Sequence, residues 1–160
     1  MSQNIPYRVL VVDDDESICE SLAMALAEHG HQVLLASDGN AGLSCIERDS
    51  PDLVVLDMMI PRRSGFAVLD HLQKRPTAGP KVVMVSGSTD PRHEQMALAK
   101  GASAFFRKPF DVAQLIAEIE LLLKSGRPQV AVSEGGVVAP PSRFAQPRED
   151  VTARFGSPQA

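Results

Sequence analysis

Leu53-Val54-Val55-Leu56 runs straight into Asp57. Four apolar residues with no polar alternate describe a strand covered on both faces, and an acid at its end stops the run abruptly. The same construction recurs along the chain. Arg8–Val12 is apolar up to Asp13-Asp14-Asp15, residues 81–85 end at Ser86, and residues 102–106 lead into Arg107-Lys108-Pro109. Residues 32–36 supply one more short strand. The intervening segments are helical. Residues 17–29 place Ile18, Leu22, Ala25 and Leu26 at helical spacing, with Gly30 as the stop. Asp38 caps a helix carrying Ala41, Cys45 and Ile46. Phe66, Leu69 and Leu72 form a third stripe after the loop from Pro61 to Gly65. Asp90-Pro91 opens a fourth helix that closes at Gly101. Asp111 with Gln114 resembles a capping box, and Val112, Leu115, Ile116, Ile119, Leu122 and Leu123 give the clearest stripe. Five strand–helix units predict a doubly wound α/β fold, a parallel sheet with right-handed crossovers and helices on both faces. Periodicity alone does not give the strand order.

Composition bounds the rest. The chain has 160 residues, 44% hydrophobic and 22% charged, with 16 Lys+Arg against 20 Asp+Glu and a net charge of −4. That balance excludes a general polyanion binder, so no nucleic acid is expected as a partner. No apolar run approaches the roughly 20 residues of a membrane span, and the first residues lack the basic-then-apolar pattern of a secretory signal. Cys19 and Cys45 read as small buried apolar groups. A cytoplasmic location follows as the expectation. Residues 1–7 form a short lead and 8–124 the folded unit. Residues 125–160 hold five of the twelve prolines and no sustained period. They cannot bury enough apolar area to offset roughly 1–2 kcal/mol per residue of backbone ordering, and read as a disordered tail.

In open α/β sheets the ligand crevice lies beyond the carboxyl ends of the strands. This chain places Asp13 and Asp14 past the first strand, Asp57 at the third, Ser86 at the fourth and Lys108 past the fifth. Each has a plain structural explanation. The three acids suit the positive end of a helix, Asp57 and Ser86 suit strand ends and turns, and lysines are ordinarily exposed. Together these explanations weaken, because separate strands would each have to put a complementary group at one rim by coincidence. Two carboxylates about 5 Å apart repel by roughly 3 kcal/mol at an effective dielectric of 20. A cluster of three therefore holds a proton or recruits a cation, and all-oxygen ligation favours Mg2+. A divalent ion beside a lysine suits a phosphoryl group, with Asp57 as the nucleophile.

VLVVDDDES (9–17), DLVVLDMMIPRRSG (52–65), VVMVSGS (82–88) and GASAFFRKPF (101–110) together resemble the receiver domain of two-component response regulators, over residues 8–124. The resemblance implies a flavodoxin-like sheet with strand order 2-1-3-4-5. It implies that Asp57 accepts a phosphoryl group from a sensor histidine kinase, a phosphotransfer protein or a small acyl phosphate. Asp13, Asp14, Asp57 and the backbone carbonyl of Met59 then hold Mg2+, Ser86 hydrogen-bonds the phosphoryl oxygen, and Lys108 pairs with it. Ser86 and Phe105 fall at the switch positions, and the Lys108–Pro109 bond is expected cis. Phe105 and Phe106 face opposite sides of their strand, so one of them is core. The Met59 side chain is a candidate shield for the acyl phosphate. His29, His31, His71 and His93 show no ligand spacing and read as surface or helix-end residues.

The function implied is a phosphorylation-dependent signalling module that turns over no separate substrate. Residues 90–124 would face a downstream protein, and a homodimer on phosphorylation is open to it. The 36 residues after the folded unit are too few for a fused output domain. The alternative is a phosphorylation-silent interaction module, usually marked by a missing acid, acceptor or lysine, none of which is missing here. A dehalogenase-type phosphatase wants a second acid two residues past the nucleophile, where Met59 stands. A nucleotide-binding enzyme would need G-x-G-x-x-G or a P-loop, and neither occurs. The tail arginines, Arg127, Arg143, Arg148 and Arg154, are scattered among Glu134, Glu149 and Asp150 and read as solvated linker.

Overall fold

The computed structural model describes residues 6–76 and 78–126. The segments proposed as lead and tail lie largely outside the described residues. Five strands, β1 (Arg8–Val12), β2 (Gln32–Ala36), β3 (Leu53–Asp57), β4 (Lys81–Ser86) and β5 (Ala104–Arg107), alternate with five helices. The helices are α1 (Glu16–Glu28), α2 (Gly39–Asp49), α3 (Gly65–Gln73), α4 (Pro91–Ala99) and α5 (Val112–Gly126). All strands pair in parallel in the order β2-β1-β3-β4-β5, the doubly wound order with its reversal at β1 and β3.

Strand alternation sorts the interior into two cores. Leu10, Val12, Val54, Leu56, Val82 and Met84 face α2, α3 and α4, where Ile46, Leu69 and Leu72 meet them. Val9, Val11, Leu53, Val55, Val83 and Val85 face α1 and α5, against Leu22, Leu26, Leu115 and Ile119. Because both faces are covered, the central strands are apolar throughout except at their end residues. Phe105 packs with the first core and Phe106 with the second, each half-buried.

Helix starts follow the caps. Asp15, Asp38, Ser64 and Asp90 each accept a backbone N–H from the first turn of α1, α2, α3 and α4, and Asp111 accepts from Ala113 and Gln114 at α5. Gly30 and Gly101 carry positive φ after α1 and α4, where a side chain would be strained. Two local expectations shift. β5 begins at Ala104, two residues later than the apolar run, because the Ala102 N–H bonds back to Ala97 O and finishes α4. His31 is buried rather than on the surface, where its ring pairs with Glu120 of α5.

Candidate functional site

The acid triplet divides its labour by position. Asp15 caps α1 through Ser17 N and Ile18 N, which is the plain structural use of an acid there. Asp14 is exposed. Asp13 is only 2% exposed. Its N–H donates to Ala36 O on β2, and its Oδ1 accepts the Asp15 N–H at 2.9 Å. Asp57, the last residue of β3, is buried as well, with Oδ1 accepting the Met59 N–H at 3.3 Å. Lys108 reaches in from past β5, its Nζ 2.9 Å from Asp13 Oδ2 and 3.3 Å from Asp57 Oδ2. Asp13 Oδ2 is a buried oxygen whose one close cationic neighbour is the Lys108 ammonium. Carboxylate oxygens of Asp13, Asp14 and Asp57 lie within 4.8 Å of one another.

The charges follow from this geometry. Burial pushes the Asp57 carboxyl up to about 6, and the nearby Asp13 carboxylate adds to it, against the pull of Lys108. Burial opposes the charge on Lys108, but Asp13 and Asp57 outweigh it and hold the ammonium above its ordinary value. Behind the acids, Cys19 donates its thiol to Asp13 O at 3.3 Å. Burial and then Asp13 push that thiol up to about 11, so it stays protonated. Three hard carboxylate oxygen donors converging here fit a divalent ion such as Mg2+.

A pocket of about 490 Å³ opens over this cluster, walled by Asp14, Asp57, Met59, Gly87, Ser88 and Lys108, with His93 from α4. Met59 is 68% exposed at its mouth, whereas Met58 is core. Ser86 ends β4 and is wholly buried. Its carbonyl accepts the Lys108 N–H at 2.8 Å, which ties the turn after β4 to the lysine. The Lys108–Pro109 peptide is cis. Phe105 lies against the α2–α3–α4 core with Arg107 5.8 Å above its ring. The structure thus brings Asp13, Asp57 and Lys108 into contact, sets Asp14 and Met59 at the opening, and keeps Ser86 behind it and Phe105 to one side. The sequence did not single out His93 or Ser88. The loop after a strand and the first turn of the helix that follows it face the rim by construction, and that rule would have found both.

Residues 9–120 match the family model of the response regulator receiver domain, and the chain belongs to that family. Two relatives are proteins named response regulator MprA. The one from Mycolicibacterium vanbaalenii is 38% identical over 84% of this chain and 58% of its own length. The one from Mycobacterium leprae is 39% identical over 78% of this chain and 54% of its own. The chain therefore spans little more than half of these relatives. Among solved structures, the Francisella response regulator 1452 receiver domain superposes with a TM-score of 0.72 at 28% identity, covering 76% of this chain and 99% of that one. A CheY-like receiver domain protein from Methanospirillum hungatei gives 0.69 at 30% identity over 75% and 95%. Receiver domains are signalling modules of two-component systems that bind Mg2+ at an acidic pocket and work with histidine kinases and downstream effectors. Among the described residues, no helix is long and apolar enough to cross a membrane.

Proposed function

We propose that Asp57 accepts a phosphoryl group from a histidine kinase's phosphohistidine, a phosphotransfer protein or a small acyl phosphate. The observation that carries this reading is the buried Asp57 carboxylate facing the Lys108 ammonium at 3.3 Å beneath an open pocket. Its raised basicity leaves Asp57 largely ionised at pH 7 and a better nucleophile than an ordinary carboxylate. In transfer, an Asp57 oxygen bonds to phosphorus as the bond from phosphorus to the donor breaks, and the donor leaves with the electron pair. Lys108 neutralises charge on the phosphoryl oxygens, and Ser86 donates its hydroxyl to one of them. Asp13, Asp14, Asp57 and the Met59 carbonyl would hold Mg2+, which supplies positive charge to the same oxygens. Met59, exposed at the mouth, screens the acyl phosphate from water. Met59→Asn or Met59→Lys should speed loss of the phosphoryl group, and an unchanged rate ends that assignment.

The unit we assign to this work is residues 8–124, in the cytoplasm. Phosphorylation acts on a downstream protein or a second copy of the chain through α4, β5 and α5, with Phe105 and Ser86 as switch residues. Incubation with acetyl phosphate and Mg2+, read by intact mass, should give a phosphate adduct on the wild-type chain and none on Asp57→Asn. No adduct on either would leave the phosphorylation-silent interaction module as the reading.

A further inference from the structure

Ser86 is held by a short series of bonds that ends on α4. Its Oγ accepts the Ser88 N–H at 2.9 Å. Ser88 is held in turn, its Oγ accepting the Asp90 N–H at 3.1 Å and lying 2.7 Å from His93 Nδ1. Arg107 adds a bond from Nη1 to the Ser88 carbonyl at 3.0 Å. His93 stands in the first turn of α4 and lines the pocket that holds Asp57 and Lys108. The His93 ring also meets Phe66 of α3 edge-on, with 6.2 Å between centroids.

The His93–Ser88 contact persists in either state of the ring. Neutral imidazole can accept the Ser88 hydroxyl proton at Nδ1, and imidazolium can donate to the second lone pair of Ser88 Oγ. The bond from Asp90 is made at the cap of α4, two residues along the chain, and can follow a small movement of the turn. The bond to His93 cannot, because His93 belongs to the helix. If the buried Ser86 hydroxyl is to close on a phosphoryl group, the turn from 86 to 88 moves with it, and the Ser88–His93 bond has to give, together with the Ser88–Arg107 bond from β5.

We propose that His93 is a positioning residue of the phosphoryl site: through Ser88 it latches the turn carrying Ser86, and its release couples phosphoryl capture to α4. This rests on the assignment of Asp57 as phosphoacceptor. By linkage, whatever the latch takes from phosphoryl affinity it also takes from the shifted position of α4.

The test titrates the chain with beryllofluoride, a phosphoryl mimic, in the presence of Mg2+ and follows binding by calorimetry. His93→Phe keeps a ring against Phe66 and removes Nδ1, whereas His93→Asn keeps a polar atom near the Nδ1 position. A latch of one ordinary hydrogen bond predicts about fivefold tighter binding for His93→Phe. Ser88→Ala should gain the same amount, the double variant no more than either single one, and His93→Asn should return to wild type. Wild-type or weaker affinity in His93→Phe, or gains that multiply in the double variant, would overturn the latch. Acetyl phosphate labelling of the wild-type chain separates the two ideas. Labelling with unchanged beryllofluoride affinities removes the latch alone, and no labelling removes the phosphoacceptor reading and the latch with it.

Discussion

The two helices that flank β5 are attached to the sheet by different forces. α5 buries Leu115, Ile116, Ile119, Leu122 and Leu123. α4 buries Ala97 alone and leaves Met96 and Leu98 partly exposed at 42% and 38%. What holds α4 is polar: the Asp90 cap, His93 on Ser88, Lys100 on Asp70 at 3.0 Å, and Arg107 on Glu94 at 3.3 Å. Apolar burial is lost as soon as a helix lifts away, but polar contacts can be exchanged for others or for water at small net cost. One helix is thus a fixed wall. The other, which grows directly out of the turn holding Ser86, is seated mainly by polar contacts.

The largest expected effect tests the fixed wall. Ile119→Ala should lower unfolding stability by about 2–5 kcal/mol in urea denaturation, while Leu98→Ala on α4 should cost under about 1 kcal/mol. Comparable losses would break the contrast between the helices. Next comes the rim from which α4 starts. The Asp57 carboxyl moves from 3.8 to about 6 on folding, so the folded chain binds its proton more tightly than the unfolded one. The stability this gives at low pH is lost as pH rises from 3.8 through 6, and above that the ionised group opposes folding. In EDTA at pH 7, Asp57→Asn should therefore stabilise the chain by up to roughly 3 kcal/mol, with the gain nearly gone at pH 4. Paired melts at the two pH values would show it, and an equal shift at both would contradict it. The smallest effect concerns the polar ties. Arg107→Ala should change global stability by no more than about 1 kcal/mol yet speed amide exchange in α4 while leaving α5 unaltered.

The sequence was most readable where one residue stood out against its neighbours. Asp57 and Asp13 interrupt unbroken apolar strands, so both the strands and the acids that end them are conspicuous. The start of β5 was less so, because Ala102 and Ser103 are small enough for either a strand or a helix end, and only the bond from Ala102 to Ala97 decides. Strand order came from the family resemblance and not from any residue pattern, since pairing partners leave no mark on a strand buried on both sides. His31 and His93 were misjudged or passed over for one reason. A lone histidine carries no periodic signal, and its role depends on what another element brings to it: Glu120 from α5 in one case, Ser88 and the pocket in the other.

The segment between Met58 and Gly65 is closed on itself. Gly65 N–H donates to Met58 O at 3.0 Å, and Pro61 O takes N–H groups from both Arg63 and Gly39. A Cβ on Gly65 would stand 2.4 Å from Asp57 O, so only glycine lets the hoop shut against the strand. Fastened at both ends, its backbone has little freedom left to surrender, and a cation gripping the Met59 carbonyl would meet a support already stiffened by folding.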